Sequence, residues 1–355
     1  MSVTIKEVAR EAGVSVATVS RVFNEKGPVR EETRRRIREV AERLRYMPHG
    51  AARSLITNKT STVRVLLPDI YGEFFSEVIR GIDSAARGSG YHLLVSGSHE
   101  DRGEIEALIR AMRGRVDGLI VMSPHVDAQT LQRNLPEALP VVLLNCLVDG
   151  SSFDSINIDN SGGAAAMVRH LARLGHRTIA HVTGAPGNYD ARERLCGYRE
   201  ALRSLSLDCG AELEIEGDFT EESGYRAGGQ LAGLRDRPTA VFAANDSMAI
   251  GCLSALREAG LRVPEDIAVA GFDDIPIARF VTPPLTSVHV SIAQLGARAM
   301  DRLLHALRAG NAHERRHETL PATLVVRKSC GAAAGNETQV RRESGSKFRF
   351  RRMEV

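Results

Sequence analysis

The sequence of 355 residues has little cysteine and no long apolar run. Its five cysteines are scattered and never spaced as C-x-x-C, which argues against a disulfide framework or a zinc site. The eleven histidines form no H-E-x-x-H pair. No apolar stretch reaches the roughly eighteen residues of a membrane span, and the N-terminus carries no hydrophobic signal segment. We therefore expect a cytoplasmic protein that needs no metal, no other cofactor and no membrane.

Two sequence motifs common in enzymes are also missing. The chain contains neither the G-x-S-x-G of many hydrolases nor the G-x-x-x-x-G-K-[ST] of nucleotide-binding loops. Asp273 and Asp274 form a candidate catalytic pair, but adjacent side chains on a loop usually point apart. The sequence therefore favours a protein that is not an enzyme.

The net charge of +3 conceals a division along the chain. Residues 1–60 hold 13 lysines and arginines against 7 glutamates, a charge of +6, and residues 331–355 carry +3. The body between them must then carry −6. A basic front end on an acidic body suits a protein whose N-terminal part meets phosphate. The run of three arginines at 34–36 could contact phosphate or could equally form a solvated helix face.

Residues 4–24 carry the start and stop signals of two short helices. Thr4 and Glu7 have the spacing of a capping box, so a helix should begin directly after Thr4. Gly13 can end that helix in the left-handed conformation, and Ser15 can cap a second helix that follows it. Two short helices joined by a glycine-containing turn are typical of the helix-turn-helix, whose second helix enters the DNA major groove. The alternative is a generic corner between two helices.

The stretch after this pair strengthens the DNA interpretation. Residues 29–44 place apolar side chains at helical spacing and predict a third helix that closes a small core. The matching elements are T-I-K-E-V-A, A-G-V-S, T-V-S-R-V-F-N, T-R at 33–34, Y-x-P at 46–48 and A-A-R-S-L at 51–55. With these elements in register, the first sixty residues resemble the headpiece of the lactose-repressor/galactose-repressor family of bacterial transcription factors. The resemblance implies an all-α helix-turn-helix headpiece over 1–48 that binds double-stranded operator DNA.

The resemblance also assigns candidate DNA contacts. Val16 and Ala17 occupy the positions that choose bases, and being apolar they can meet thymine methyl groups but cannot form bidentate hydrogen bonds. Arg21 is the best candidate for a guanine contact. Phosphate-positioning roles fall to Thr4, Ser15, Thr18, Ser20 and Asn24. Arg30 stands where a Ser or Thr usually caps the third helix, which puts one expected phosphate contact in doubt.

Residues 49–60 are predicted to be a hinge. Alone the segment is too short to repay helix nucleation. In the family it folds on the operator, paired with the same segment of a second subunit, and its leucine wedges into the minor groove. Leu55 matches that leucine, and Ala52 and Arg53 lie beside it as further DNA contacts. The alternative is a passive flexible linker.

From residue 61 to about 330, short apolar strands alternate with amphipathic helices, a pattern typical of parallel sheets covered by helices on both faces. The predicted strands span 63–67, 92–95, 119–122, 141–144, 178–183, 212–215, 240–243, 267–270 and 322–326. The predicted helices span 74–87, 104–113, 128–135, 160–174, 191–205, 223–234, 246–259 and 291–308. A faint G-x-x-x-A-x-R repeat at 81–87 and 197–203 suits two similar halves. The resemblance implies an α/β periplasmic-binding-protein-like core of two doubly wound parallel-sheet subdomains.

The tail, residues 331–355, has few apolar residues and no periodicity, so we expect it to be disordered. Phe348 and Phe350 among arginines offer an alternative role in contacting nucleic acid. The tail has no leucine heptads of the kind that hold tetramers together, which favours a homodimer.

Polar and aromatic side chains follow several predicted strands at their carboxyl ends, where open α/β sheets bind ligands. The candidate effector-binding residues are Asp69, Tyr71, Phe74, Asn145, Arg194, Asn245 and Asp273. Carboxylate, amide and guanidinium groups beside an aromatic ring suit a polyhydroxyl ligand. The resemblance carries the ligand-contact role to Phe74, Arg194, Asn245 and Asp273, and more loosely to Asn145.

Structural alternatives exist for these residues. Arg194 could form a salt bridge to Glu193 or Asp190, and Asn245 and Asp246 could cap a helix. Val290 replaces a polar contact found in several family members, and Tyr71 with Gly72 replaces a common Asn-Pro. We therefore expect an effector pocket that differs from that of the lactose repressor.

Together these features predict a regulator of carbohydrate-metabolism genes, acting in the family's manner as a repressor. It would bind a palindromic operator as a homodimer and respond to a sugar or sugar derivative between its lobes. The main rival is a sugar-binding protein of a transport system, which shares the body but would need an export signal and no headpiece. The identity of the sugar stays open.

Overall fold

The computed structural model describes residues 3–24, 27–46, 59–97, 112, 115–122, 133–134, 139–146, 153–207 and 210–332. They form a helical headpiece and two α/β lobes. The hinge segment 49–58, the tail from 333 and most of the helices predicted at 104–113 and 128–135 lie outside the described residues. Within the part of the chain that is described, no helix is both long and apolar enough to cross a membrane.

The headpiece has the three predicted helices, α1 (Ile5–Glu11), α2 (Val16–Phe23) and α3 (Glu31–Arg43). The local signals act as expected. The Thr4 backbone N–H donates to the Glu7 carboxylate over 2.7 Å, the Thr18 N–H donates to Ser15 Oγ over 3.1 Å, and Gly13 has φ +63°. Arg30 precedes α3 without a side-chain cap. The helices bury a core of their own, formed by Val8, Ala9, Ala12, Val19, Val22, Ile37, Val40 and Ala41.

The first lobe is built on a six-stranded parallel sheet with the order β11-β5-β4-β3-β1-β2. Its strands are β1 (Thr62–Leu67), β2 (His92–Gly97), β3 (Gly118–Met122), β4 (Val141–Leu144), β5 (Asp154–Ile158) and β11 (His317–Leu320). Helices α4 (Glu73–Arg87) and α9 (Ile292–Ala309) belong to this lobe and pack against each other.

The second lobe is built on a six-stranded sheet with the order β12-β10-β9-β8-β6-β7. Its strands are β6 (Ile179–Val182), β7 (Glu214–Ile215), β8 (Ala240–Ala243), β9 (Ala268–Asp273), β10 (Thr286–His289) and β12 (Thr323–Val325). The helices are α5 (Asn160–Arg173), α6 (Tyr189–Ser204), α7 (Glu221–Gly233) and α8 (Asp246–Glu258). All pairings are parallel except that of edge strand β12 with β10. The predicted pair of doubly wound parallel sheets is confirmed.

Along the described strands, the chain passes between the lobes three times, after β5, after β10 and after β11. Its last part returns to both sheets: β11 joins the first and β12 the second. Strands β5, β10 and β11 were not predicted, because each is short and carries polar residues that hide an apolar period.

The two glycines of the G-x-x-x-A-x-R repeat lie at helix crossings. A Cβ on Gly81 of α4 would be 1.9 Å from the Ala293 carbonyl oxygen of α9. A Cβ on Gly197 of α6 would be 2.1 Å from the Ser161 carbonyl oxygen of α5. Both are too short for any side chain, so the backbones of each helix pair touch. The repeat thus marks one close helix pair in each lobe.

Candidate functional site

A cavity of about 180 Å³ lies between the lobes at the carboxyl ends of their strands. The first lobe supplies the residues that follow β1 and β4, and the second supplies those near β6 to β9. All seven predicted effector residues line it, namely Asp69, Tyr71, Phe74, Asn145, Arg194, Asn245 and Asp273. The fold therefore brings together side chains that are as far as 204 residues apart along the chain, as between Asp69 and Asp273.

Arg194 is the centre of a buried polar network. It lies in the second turn of α6, and only 3% of it is exposed. Its Nε donates to Asn160 Oδ1 over 2.8 Å, Nη1 donates to the Ala244 carbonyl oxygen, and Nη2 lies 3.0 Å from Asp273 Oδ1. The guanidinium carbon also lies 3.8 Å above the centre of the Phe272 ring. Its ion pair is with Asp273, so the predicted alternatives, Glu193 and Asp190, were the wrong partners.

Asp190 links this network to the first lobe. Asn160 donates to Asp190 over 2.7 Å, and Asn145, at the end of β4, donates to the other oxygen over 3.2 Å. The second of these hydrogen bonds crosses the cleft. The lobes meet again where the Ile277 backbone N–H donates to the Glu73 carboxylate over 3.0 Å. The two contacts tie the lobes together.

Burial raises the pKa of two acids in this network. Desolvation raises the pKa of Asp273 to about 6, although the neighbouring Arg194 charge lowers it. Desolvation likewise raises the pKa of Asp190, against the opposing effect of Arg194. A buried carboxyl group with a displaced pKa in a cleft is a common mark of a functional site.

Two of the predicted effector residues have backbone angles that most side chains avoid. Asn145 has φ +46° and Asp273 has φ +103°. Such conformations cost on the order of 1–3 kcal/mol each and cluster at functional sites. Both residues stand where a strand ends, so the strained backbone turns their side chains toward the cavity that they line.

The helix-capping alternative holds for Asn245. Its Oδ1 accepts from the Met248 N–H at the start of α8 over 2.9 Å, and its amide donates to the Phe219 carbonyl oxygen over 2.9 Å. Asn245 also lines the cavity, so capping and a ligand contact are compatible. Asp246 is instead a buried structural residue, because its carboxylate accepts from Ser287 Oγ over 2.6 Å and from the Ile275 N–H over 2.8 Å.

Several residues of the cavity were not predicted. Asp190 was considered only as a salt-bridge partner of Arg194, and Phe219, Asn188, Asp218, Glu221 and Ser247 were not considered. Phe219 has φ +70°, and its ring fills the space beside Gly184, where a Cβ would be 2.3 Å from Cζ. It follows β7 closely, so the same rule of strand ends could have found it.

Helix α2 presents the predicted recognition residues to solvent. Val16, Ala17 and Arg21 are exposed, while Val19 and Val22 of the same helix are buried in the headpiece core. Four predicted phosphate-positioning residues form two hydrogen-bonded pairs. Ser15 Oγ and Thr18 Oγ1 are 2.9 Å apart, and the Asn24 amide donates to Ser20 Oγ over 3.1 Å. Ala52, Arg53 and Leu55 lie outside the described residues.

Comparisons with known proteins agree with these two parts of the molecule. Residues 4–49 match the model of bacterial regulatory proteins of the lacI family, and residues 168–330 match that of a periplasmic binding protein-like domain. The HTH-type transcriptional repressor PurR of Photobacterium profundum is 35% identical over 328 residues, which cover 92% of this chain and 98% of that protein.

The chain belongs to the lacI family.

Solved structures place the whole fold in the same family. The lac repressor dimer bound to operator and the anti-inducer ONPF has a TM-score of 0.84 at 32% identity, covering 94% of this chain and 100% of that chain. The complex of the transcriptional regulator CelR with cellobiose has a TM-score of 0.70 at 32% identity, covering 92% and 99%. This lacI-family chain is a DNA-binding transcriptional regulator. The matched headpiece removes the transport-protein rival, and the matched relatives are regulators rather than enzymes.

Proposed function

We propose that this lacI-family member is a repressor of carbohydrate-metabolism genes, acting in the cytoplasm under the control of a sugar or sugar derivative. It binds a palindromic operator as a homodimer through headpiece 1–48 and hinge 49–60, and its core, 61–330, binds the effector. The observation that carries the proposal is the cavity between the lobes, where Arg194, Asn245 and Asp273 meet the aromatic residues of the first lobe. The complex of the similar regulator CelR with cellobiose supports a carbohydrate as the ligand.

An exposed apolar patch supports the homodimer. Ile70, Tyr71, Ile277 and Phe280 are large apolar side chains that face solvent, with Tyr71 72% and Phe280 70% exposed. The Glu73–Ile277 hydrogen bond holds the two segments that carry them side by side. Apolar side chains grouped in this way mark interaction surfaces, and a twofold axis through the patch would cover it. We name residues 70, 71, 277 and 280 the apolar patch.

The proposed coupling between ligand and operator depends on how the hinge is attached to the first lobe. The Thr60 and Ser61 backbone N–H groups donate to the two oxygens of Asp117, over 2.7 and 2.9 Å, which fixes the end of the hinge to the first lobe. A ligand that changes the angle between the lobes shifts the two first lobes of a dimer and, with them, the spacing of the two hinges. Ligand affinity and operator affinity are then coupled reciprocally, typically by about 1–3 kcal/mol.

Arg194 provides the test. Arg194→Lys keeps a positive charge beside Asp273, but a point charge cannot reproduce the forked donor geometry. We expect operator affinity without sugar to stay within about threefold of the unmodified protein and the response to sugar to be lost. Arg194→Ala should also lose the response, with lower stability because the buried Asp273 carboxylate then lacks its partner.

The experiment first screens mono- and disaccharides by thermal shift, where a ligand at 100 times its Kd adds about 2.7 kcal/mol. The sugars that bind are then added to operator titrations of the unmodified protein and Arg194→Lys. Arg192→Ala is the matched control, because Arg192 lies on the same helix but is exposed. A normal sugar response in folded Arg194→Lys would show that Arg194 does not bind the effector.

A further inference from the structure

The hydrogen-bond donors around the cavity are largely committed to the protein itself. Thr220 Oγ1 donates to Asp218, and Ser247 Oγ donates to Glu221 over 2.7 Å. The amides of Asn245 and Asn145 donate to the Phe219 carbonyl oxygen and to Asp190. Three of the five N–H donors of Arg194 already face Asn160, Ala244 and Asp273. A ligand that must accept hydrogen bonds therefore finds few donors to supply them.

Hydrogen-bond acceptors, in contrast to donors, are plentiful around the cavity. Six carboxylates line the cavity: Asp69, Glu73, Asp190, Asp218, Glu221 and Asp273. Among the described lining residues, Arg194 is the only lysine or arginine. Asn145 is 1% exposed, and its Oδ1 has no hydrogen-bond partner within the described part of the chain. A buried amide oxygen without a partner is costly, so it points to a donor that a ligand supplies.

Among the carboxylates that line the cavity, Asp190 shows most clearly a negative charge without a paired cation. Its two oxygens accept from the uncharged amides of Asn160 and Asn145, and it forms no ion pair with any described residue. Asp273, by contrast, has Arg194 at 3.0 Å. A partly buried carboxylate without a paired cation favours a ligand that brings positive charge or donors and disfavours one that brings negative charge.

We propose that the effector is a donor-rich sugar without negative charge, and that an amino group on it strengthens binding through Asp190. Sugar phosphates and sugar acids are excluded, because their anionic groups would enter a cavity whose described lining holds six carboxylates and one arginine, which is already paired with Asp273. The inference rests on the cavity being the effector site of the proposed function. Asp190 is then the residue that sets specificity for the charge of the ligand.

The test compares three forms of one sugar on the full chain by calorimetry: glucose, glucosamine and glucose 6-phosphate, with the galactose series in parallel. We expect the amino sugar to bind about tenfold more tightly than the neutral sugar, and the phosphate to bind at least about 100-fold more weakly. Asp190→Asn should bring the ratio of amino-sugar affinity to neutral-sugar affinity close to one, whatever it does to the affinity for each sugar. Asp301→Asn, an exposed carboxylate on α9 away from this cavity, should change neither.

Thermal melting and operator titration check that Asp190→Asn is folded. The relative affinities of the unmodified protein for the neutral, amino and phosphorylated sugars test the proposed charge preference without any variant. A sugar phosphate that binds as well as its neutral parent would overturn the inference while leaving a sugar-controlled repressor intact. An unchanged amino-sugar preference in folded Asp190→Asn would overturn the role of Asp190. If no sugar of any charge binds although the protein binds operator, sugar control itself fails, and this inference fails with it.

Discussion

His181 shows how a single buried residue can set the pH range of the second lobe. Its ring lies between Tyr198 and Phe242, with ring centres 4.8 and 4.9 Å away, and its Nδ1–H donates to the Phe242 carbonyl oxygen over 2.7 Å. Desolvation lowers the pKa of the imidazole to about 4. The ring is therefore neutral in the folded protein at pH values above about 4.

Stability should depend on pH through this residue. Between pH 6.5 and about 4 the unfolded chain takes up a proton at His181 and the folded chain does not, so stability falls as the pH falls through that range. The free energy of unfolding should drop by about 3 kcal/mol because of His181. Asp273 has the opposite effect on stability over part of this range, because its pKa in the folded protein is raised to about 6. As the pH falls, the folded chain takes up a proton at Asp273 before the unfolded chain does, which stabilises the folded protein.

Urea unfolding of the unmodified protein and of His181→Phe at pH 7 and pH 4.5 separates the two effects, because only the histidine contribution differs between the proteins. The pH-dependent loss should be smaller in His181→Phe. Equal losses in both would show that His181 is protonated in the folded state or contributes nothing.

The sequence was most informative about residues that end strands. The strand-end rule, with the family resemblance, predicted that Arg194, Asn245 and Asp273 would line one cleft. It could not predict how Arg194 is paired. Asp273 is 79 positions away in the sequence, and the ion pair depends on how α6 packs against the end of β9. Asp190 was missed for the same reason, since its partners Asn145 and Asn160 come from other elements.

Among the elements, the helix pair in the second lobe gives a sharp test of packing. Gly197→Ala places a methyl group 2.1 Å from the Ser161 carbonyl oxygen, so α6 and α5 must separate. We expect a loss of about 1–3 kcal/mol in the free energy of unfolding. Gly229→Ala is the matched control, because Gly229 lies inside helix α7 and no atom of the described residues comes within 4 Å of the added Cβ.

The control should be neutral or stabilise by about 0.5–1 kcal/mol, since alanine is the better helix former. Thermal unfolding of the three proteins measures both effects. A Gly197→Ala protein as stable as Gly229→Ala would mean that the two helices are not in backbone contact.

Element boundaries followed the sequence where an apolar period was strong. β8 spans the predicted residues 240–243, and α8 begins at the predicted Asp246. The predicted strand 212–215 shrank to the two residues of β7, because Ala211–Leu213 forms a 3₁₀ turn in front of it. Edge strands such as β7 and β11 pair on one side only, so their sequences need not be apolar on both faces.

For the whole molecule, the apolar patch makes dimerisation testable. Phe280→Asp places a charge in the apolar patch at its more exposed residue on the segment 277–280. Burial of the patch against a second copy would desolvate that charge. We expect a shift toward monomer in sedimentation experiments and at least about tenfold weaker operator binding, because one headpiece alone contacts one half-site.

Leu205→Asp is the control, since Leu205 is an exposed apolar residue at the end of α6, outside the patch. It should remain a dimer. A Phe280→Asp protein that stays dimeric and binds operator normally would place the subunit interface elsewhere.

The order of the elements has a consequence for how the protein is made. The headpiece is continuous, and its core is complete within residues 3–46. Neither lobe is continuous: β11 pairs with β5, and β12 pairs with β10, so each sheet receives an edge strand only from the last part of the core. As the chain leaves the ribosome, the part that meets DNA can fold long before either sheet is closed. A nascent or truncated chain would thus carry the DNA-contacting helices before the two lobes that enclose the cavity are complete.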